Sequence, residues 1–402
     1  MSKAADRLLS GKAWDDFCEV IRRAGHSIDR WKVNPDPLER AEWYRFMTRL
    51  MRNGLERFVE NREAYRPRLR DASWRSSINV QSPDQDHLLC EFNGVRDLKI
   101  TGNRGGAPYF VIAVWSAAQP ESPGAEDWAE KGFDGLKEFD PATLRTTGFL
   151  PSQQIAFKDN GDFEVILSEN PQPGNWLKLE KDSVGVLVRI VHHDRKKEVP
   201  PTMTVHRVDG ARPRAVTPED IADGLALSAQ EVTGYANLVW SWWNENLSHR
   251  PNQVRYSQAT YLSNGGVADR HFAFGVWEKA PDEALTITFT PPECEHWIFQ
   301  LCNIWQENLD NYEEDQGRIT KFSAIYEKDG SVRVVIAEEN PGIGGNWIDS
   351  YGHVRGIMGL RLILTNKPPP VTLHRLPLAK LKAKGWDGLN PKDAIKSGDI
   401  TA

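Results

Sequence analysis

Apolar residues follow a helical period from residue 36 to about residue 61 and a strand period later in the chain. In the helical stretch they recur at spacings of three, four or sums of these, at Trp43, Met47, Leu50 or Met51, and Phe58. Asp36, Pro37 and Glu39 supply the cap, the first-turn proline and the returning carboxylate of a helix start. Residues 14–21 predict a shorter amphipathic helix. We expect both helices to pack on the first of two β-units.

A second helical stretch begins at Thr217 and continues to about Asn246. Thr217 is the cap, Pro218 occupies the first turn, and two acidic residues follow. Its C-terminal end carries tryptophans on more than one side of the helix, which suggests packing between two domains.

The remaining segments are short and have a period of two. The best example is Leu285, Ile287 and Phe289, which alternate with threonines and predict a strand with one buried face. The segments 271–277 and 285–290 flank a turn at residues 280–283, and we expect them to form a hairpin. Many short strands separated by turn signals are typical of antiparallel sandwiches or jelly rolls.

The second half of the chain repeats the pattern of the first. In residues 160–207 a turn, a strand, a Glu-Asn-Pro, a Gly-Asn-Trp, a second strand, a proline pair and a Thr-x-His-Arg follow one another, and residues 329–375 give the same series. We therefore predict a mainly β fold with helical additions, built as two jelly-roll-like antiparallel β-sandwich domains from an internal repeat. The expected parts are a helical N-terminal segment 1–70, a first β-unit 71–210, a helical connector 211–256, a second β-unit 257–380 and a tail 381–402.

Composition excludes some classes of function. The chain has 402 residues and a net charge of −6, without the clustered basic face that nucleic acid requires. No apolar run is long enough to span a membrane, and the N-terminus lacks an export signal, so we expect a cytoplasmic protein. The 4 cysteines are too few and too scattered for a disulfide framework.

The 15 tryptophans are more than a chain of this length usually contains, and they predict at least one aromatic-walled pocket.

The first candidate site lies in residues 291–308, where a predicted strand carries amides on largely apolar faces. We expect this strand to place residues 297, 299, 301, 303 and 305 on one face and residues 296, 298 and 300 on the other. Three titratable groups at its start could form an acid–base set, namely Glu293, Glu295 and His296. Four further residues could bind a ligand, namely Trp297, Gln300, Asn303 and Trp305.

The second candidate site is the turn at Trp347 together with His353 and Arg355. The first copy has an equivalent Asn-Trp turn but no histidine or arginine at the later positions. In a duplicated fold, shared features are expected to be structural, whereas unshared polar residues are the better functional candidates. Trp176 and Trp347, with their asparagines and the paired His206 and His374, are therefore predicted to serve mainly turns and packing.

Motifs for other chemistries are absent from the sequence. It has no cupin histidine spacing, no His-Glu-x-x-His, no Gly-x-Ser-x-Gly elbow and no glycine-rich nucleotide loop before a helix. We therefore expect no organic cofactor and assign no metal ligands, while a metal site assembled from distant residues is left open.

The chain resembles bacterial proteins of the domain-of-unknown-function 1214 family, which is related to the 1254 family. The resemblance is carried by Pro37-Leu38-Glu39-Arg40-Ala41-Glu42, Gly102-x-Arg104-Gly105, Pro291-x-Glu293-Cys294-x-x-Trp297-x-Phe299-Gln300-Leu301, and Asp329-Gly330-Ser331-Val332 leading to Asn346-Trp347. It implies β-sandwich domains with helical additions and brings no catalytic residues with it. Cys302 and Ile304 depart from the family pattern, which implies a different specificity if those positions contact a ligand.

The leading functional hypothesis is an enzyme acting on an apolar or aromatic small molecule by acid–base hydrolysis or lyase chemistry. Glu293 or Glu295 would act as base, His296 or His353 as acid, and Arg355 would hold an anionic or carbonyl group.

The rival hypothesis is a non-catalytic, lectin-like ligand- or carbohydrate-binding protein. Trp297, Trp305 and Trp347 would stack on the ligand in that case, and Gln300 and Asn303 would bond its hydroxyls. A scaffold whose helices bind a partner protein is less favoured. Substrate identity, reaction type and oligomeric state, including a homo-oligomer, are left open.

Overall fold

The computed structural model of the chain describes residues 2–30, 35–60, 66–72, 80–92, 95–117, 144–210, 214–249, 251–256, 258–263, 266–309, 317–365 and 367–399. Its α-helices are α1 (Lys3–Leu9), α2 (Lys12–His26), α3 (Pro37–Leu55), α4 (Pro218–His249), α5 (Gln258–Ser263) and α6 (Leu378–Lys384). None of the helices within these ranges combines the length and apolar character that a membrane crossing requires.

The first half of the chain forms a sandwich of two sheets. Its strands are β1 (Arg70–Asp71), β2 (Gln85–Glu91), β3 (Leu98–Asn103), β4 (Tyr109–Ala117), β5 (Leu144–Pro151), β6 (Asp162–Ser168), β7 (Trp176–Lys178), β8 (Ser183–Val191) and β9 (Thr202–Arg207). Sheet 1A has the order β1-β2-β8-β4-β5, and sheet 1B has the order β7-β6-β3-β9. Apolar side chains from both sheets, such as Phe110, Val165 and Val188, fill the space between them.

The second half forms a sandwich with the same strand order. Its strands are β10 (Arg255–Tyr256), β11 (Arg270–Glu278), β12 (Glu283–Phe289), β13 (His296–Cys302), β14 (Arg318–Thr320), β15 (Val332–Ala337), β16 (Asn346–Asp349), β17 (Arg355–Ile363), β18 (Thr372–Pro377), β19 (Ile395–Lys396) and β20 (Gly398–Asp399). Sheet 2A has the order β14-β13-β17-β11-β10-β20, and sheet 2B has the order β16-β15-β12-β18-β19.

The repeat in the sequence therefore corresponds to a repeat in topology. Strands β2-β8-β4-β5 of sheet 1A match β11-β17-β13-β14 of sheet 2A, and β7-β6-β3-β9 match β16-β15-β12-β18. Even the unusual parallel pair recurs, as β6 with β7 and as β15 with β16. The prediction of a mainly β protein with two sandwiches and helical additions is confirmed.

The predicted hairpin between segments 271–277 and 285–290 is wrong. Strand β11 pairs with β17 and β10 in sheet 2A, whereas β12 pairs with β15 and β18 in sheet 2B. The short turn therefore carries the chain across the sandwich from one sheet to the other. Two strands joined by a short loop can belong to facing sheets as well as to one ladder, so loop length alone did not decide between these arrangements.

Helix α3 begins as predicted but packs elsewhere. The Asp36 carboxylate accepts a hydrogen bond from the Glu39 amide at 2.8 Å, and the Glu39 carboxylate accepts one from the Asp36 amide at 2.9 Å. Trp43 of this helix, with residues of α2 and α4, forms a core with Val276 and Trp305 of the second sandwich. The expectation that this helix packs on the first β-unit is therefore wrong.

The cysteines are all free, as expected. Cys18 is exposed on α2, while Cys90, Cys294 and Cys302 are buried. Burial raises the pKa of the Cys90 and Cys302 thiols to about 12.

Candidate functional site

Strand β13 divides the first group of predicted site residues between its two faces. Trp297, with Phe299 and Leu301, points into the core between sheets 2A and 2B. His296 and Gln300 point the other way, and both are nevertheless completely buried. They are buried because segment 80–85 of the first half lies over this face, where the Gln300 amide donates to the Gln81 carbonyl at 3.0 Å.

The two sandwiches meet through sheets 1A and 2A. Tyr109, Val111 and Val191 of sheet 1A form a small apolar cluster with Ile363 of sheet 2A. The faces of the two sheets that point away from their own cores are therefore turned toward each other. Polar residues of both sheets surround this apolar contact.

Two hydrogen bonds cross this interface at equivalent places of the repeat. His296 Nε2 bonds the Asp84 carboxylate, and Tyr109 Oη donates to the Asp269 carboxylate. Tyr109 and His296 are equivalent because they pair with Val191 and Ile363, the last residues of the matching strands β8 and β17. Asp84 and Asp269 are equivalent because each immediately precedes the first residue of a matching strand, β2 or β11. Each half thus supplies one aspartate and one partner to the other half.

Three arginines converge on the same interface. Arg189 lies opposite His87 in the ladder of sheet 1A, and Arg361 lies opposite Phe272 at the equivalent place of sheet 2A. Arg270 is the third, and it donates to the Gln85 side chain across the interface at 3.2 Å. Arg189 and Arg270 are buried, and Arg361 is partly buried.

His87 shows how positive this region is. Burial lowers the pKa of His87, and the charges of Arg189, Arg361 and Arg270 lower it further, to about 3. A neutral imidazole is therefore held beside three guanidinium groups. The Nδ1 atom of His87 lies 2.8 Å from Nε2 of the Gln81 side chain.

The arginines have different protein partners. Arg270 Nε donates to Asp269 at 2.9 Å, but the buried Nη2 of Arg270 and Nε2 of Gln85 have no hydrogen-bond partner within the part of the chain that the structure describes. Arg361 donates to the neutral oxygens of Gln300 and Val80, and its guanidinium lies 4.3 Å from the ring centre of Phe272. Burial lowers the pKa of Arg361 to about 10.

His296 occupies the side of the interface that leads to the surface. Burial would raise the pKa of Asp84, but the charge and hydrogen bond of His296 outweigh it, and the pKa is lowered. His296 Nδ1 has no hydrogen-bond partner among the described residues. The His193 ring stacks on the half-exposed Phe322, with ring centres 3.9 Å apart, and the ring centre of His296 lies 5.5 Å from that of His193 and 5.8 Å from that of Phe322.

His193 connects this side to the predicted acid–base set. Burial, and then the charge of His296, lowers the pKa of His193 to about 4. Its Nε2 atom lies 3.5 Å from the Glu295 carboxylate, whereas Glu293 is exposed at the strand entrance. His193 therefore contacts both His296 and Glu295, two of the three residues of the predicted acid–base set.

The other predicted polar residues attach helix α3 to the second sandwich. His353 Nε2 lies 3.0 Å from the Glu42 carboxylate, and Arg355 forms a bidentate pair with Glu39 at 2.6 Å. The two residues that the second copy has and the first lacks therefore hold a helix in place. Their functional assignment stays a prediction that this geometry does not favour.

The strand predicted through residue 305 ends at Cys302. Asn303 caps the following turn, with its Oδ1 accepting from the Trp305 and Glu307 amides at 3.0 and 3.1 Å and its amide donating to the Glu307 carboxylate at 2.8 Å. Glu307 is fully buried and paired with Arg45 and Arg49 of α3. Asn303 and Trp305 thus also belong to the contact between helix α3 and the second sandwich.

Trp347 makes the same contact as its counterpart in the first copy. Its indole N–H donates to the Ala337 carbonyl at 3.0 Å, as that of Trp176 does to the Ser168 carbonyl at 3.3 Å. A shared role in the turn accounts for both rings.

The His353–Glu42 pair gives stability a dependence on pH. Burial opposes the charge on His353, but the hydrogen bond and charge of Glu42 outweigh it and raise the pKa of His353 above 6.5. This contribution is fully present below about pH 6.5 and is lost as the pH rises through the raised value. Burial of Glu42 is likewise outweighed by His353, its pKa is lowered below 4.5, and that contribution is lost only on acidification.

Between about pH 6 and pH 9, the unaltered protein is expected to lose about 1 kcal/mol more of its free energy of unfolding than His353→Gln does. Urea unfolding at the two pH values measures this difference. The exposed His206, changed to glutamine, is the control and should follow the unaltered protein. Equal pH slopes for His353→Gln and the unaltered protein would contradict the assignment.

The sequence interpretation missed Asp84, His87, Arg189, Arg270 and Arg361. One signal could have found two of them, because the largely apolar strands β8 and β17 both carry an arginine two residues before their last residue, at positions 189 and 361. Shared residues were assigned to structure, so this signal was not used. No group of three or more histidine, cysteine or acidic side chains suited to a metal ion occurs in the described ranges.

Comparisons with known proteins agree with this architecture. The family model described as a protein of unknown function (DUF1214) matches residues 280–366. The crystal structure of an uncharacterized protein from Burkholderia cenocepacia is 32% identical, with a TM-score of 0.84, and the match covers 93% of this chain and 99% of that chain.

A more distant match is the crystal structure of the VPA0106 protein from Vibrio parahaemolyticus. It is 9% identical with a TM-score of 0.46, and the match covers 89% of this chain and 98% of that chain. A similarity this low supports no conclusion about this chain. No curated protein matches the chain. Together, the family match and the relative from Burkholderia cenocepacia show that this chain belongs to the DUF1214 family of proteins of unknown function.

Proposed function

We propose that the protein binds a small anionic molecule at the interface between sheets 1A and 2A. The observation that carries this proposal is the set of three arginines at the interface: Arg189 lies opposite His87, Arg270 bonds Gln85 across the interface, and Arg361 bonds Val80 across it. The interface also contains two aspartates, Asp84 and Asp269, which are fewer than the three arginines. Positive charge is therefore in excess.

An anion would compensate a cost that the protein otherwise bears. Removing a guanidinium from water without a matching negative charge is unfavourable, and the lowered pKa of Arg361 reflects this. Guanidinium groups bind carboxylates and phosphates through two parallel hydrogen bonds. The unmet donors of Arg270 and Gln85 supply further hydrogen bonds at the same interface. Small carboxylates and oxyanions are thus the ligand class that this site suits.

Arg361→Met is expected to weaken this binding about tenfold. In the ligand-free protein, the relief of a buried charge is opposed by the loss of the donor to Gln300 and Val80. Arg361 donates to neutral oxygens, so its replacement removes a charge and leaves the Asp269 pair of Arg270 in place. Isothermal titration and thermal unfolding at low ionic strength, with phosphate, benzoate and succinate as probes, measure binding and stability together. Arg145→Met, at a surface arginine whose side chain is 66% exposed, is the matched control. If none of the probe anions binds the unaltered protein, the proposal falls.

A second candidate function is acid–base catalysis on the bound anion, with His296 as the proton-transfer group. Asp84 holds one nitrogen of this imidazole, while the other has no partner in the described residues, which is the arrangement of an oriented acid or base. The hydrolase or lyase chemistry expected from the sequence would then act on an anionic substrate, without an organic cofactor. Proton NMR of an anion that binds would detect its consumption, and His296→Gln should stop consumption while binding persists.

The carbohydrate-binding alternative is less favoured by the geometry. It needs tryptophan rings that a sugar can stack on, but Trp297 is 1% exposed and Trp305 is 0% exposed. Both rings fill protein cores.

A further inference from the structure

The interface between the two sandwiches has an approximate two-fold symmetry. Val191 and Ile363 end the matching strands β8 and β17 and belong to the same apolar cluster. Gln85 and Arg270 begin the matching strands β2 and β11 and bond each other. A residue that meets its own equivalent marks the place where a two-fold axis passes, as in a symmetric dimer.

The hydrogen bonds across the interface follow the same symmetry. Asp84 of the first half bonds His296 of the second, and Asp269 of the second half bonds Tyr109 of the first. Exchanging the halves turns one pair into the other. The two sandwiches therefore meet through the same surface on both sides.

Arg189 and Arg361 are related by this axis. Each precedes the axis residue of its strand by two positions, Val191 for one and Ile363 for the other, so each shares a sheet face with that residue. One guanidinium thus approaches the interface from each half, on opposite sides of the axis. Both act on His87, which places them in one electrostatic environment.

We infer that the ligand is a dianion, with one negative group for Arg189 and one for Arg361, and that short dicarboxylates represent its class. This inference rests on the anion site proposed above and narrows it. A ligand lying across the axis would pair each end with an arginine of a different sandwich, and the two contacts would reinforce each other. A monoanion can use only one of the two arginines in this way.

The surroundings of the two arginines distinguish the ends of the ligand. Arg189 has His87 opposite it, whereas Arg361 lies against Phe272 and bonds Gln300. The position equivalent to Gln300 in the first half is Ala113, since these residues hold the same place in β13 and β4. One end of the ligand therefore meets an imidazole and the other an amide and an aromatic ring.

Titration of the full chain with a dicarboxylate series and a matched monocarboxylate tests the inference. The probes are malonate, succinate, glutarate and adipate, with butyrate as the four-carbon partner of succinate that lacks the second carboxylate. At least one dicarboxylate should bind about tenfold more tightly than butyrate, with an optimum at one chain length. Arg189→Met and Arg361→Met should each reduce the affinity for that dicarboxylate by about tenfold, and Arg145→Met should not.

The outcomes distinguish the dianion inference from the proposal of an anion site on which it rests. If butyrate binds as tightly as every dicarboxylate, or if only one of the two arginine variants loses affinity, the dianion inference is wrong while the anion site stands. If no anion binds, both are wrong. The comparison of ligands on the unaltered protein decides the matter even if a variant fails to fold.

Discussion

Trp305→Ala is expected to lower the free energy of unfolding by about 3–5 kcal/mol, the usual cost of removing a large buried ring. Its side chain is fully buried, its ring centre lies 4.8 Å from that of Trp43, and its indole N–H donates to the Glu39 carbonyl at 2.8 Å. The substitution leaves a cavity where helix α3 meets the second sandwich. It also removes the hydrogen bond from the indole to the helix carbonyl of Glu39.

Urea unfolding followed by circular dichroism measures this loss. Trp14→Ala is the matched control, because that ring is 57% exposed, and it should change the free energy of unfolding by less than about 0.5 kcal/mol. Trp305→Phe should fall between the two, since it keeps much of the packing and loses the hydrogen bond. A loss under about 1 kcal/mol in Trp305→Ala would show that helix α3 is not held by this contact.

Asp84→Ala is expected to lower the free energy of unfolding by about 3–5 kcal/mol at neutral pH, because it removes one partner of a buried pair. Asp84 is 4% exposed and bonds both His296 and the Ser82 hydroxyl. Without the carboxylate, a fully buried imidazole loses its acceptor, and one of the bonds between the two sandwiches is lost.

The pH dependence of this effect has a definite sign. The pKa of Asp84 in the folded protein lies below its ordinary value of 3.8. Its contribution is therefore present above about pH 4 and is lost as the pH falls through the lowered value. The difference between the unaltered protein and Asp84→Ala should thus shrink on acidification. The exposed Asp159, changed to alanine, is the control, and a difference that grows toward low pH would refute the assignment.

Features set by neighbouring residues were predictable from the sequence. The start of α3 at Asp36 and Pro37 is an example, because a capping box involves only one helical turn. The alternation along β13 is another, since it follows from the period of a strand over residues 296–302. The repeat was predictable because both halves keep the same turn residues at matching places.

Features that depend on distant pairing were not predictable in this way. The contact between Asp84 and His296 joins residues 212 positions apart, and neither side chain signals the other. The side on which α3 packs depends on Trp305 and His353, which the sequence presented as site residues. Buried polar residues that dock a helix and those that bind a ligand have the same composition, and only their partners separate them.

The 4 cysteines differ in exposure, so their reactivity can be used to follow the unfolding of the chain. A thiol-reactive dye should attach at Cys18 alone in the native state, because the three other sulfurs are shielded inside the protein. Additional labelling would then report the opening of the first sandwich at Cys90 or of the second at Cys294. Labelling at Cys302, which packs against Val80 of the first half, would report separation of the two sandwiches. Peptide mapping of the tagged positions would thereby follow each half of the molecule separately, with no engineered reporter.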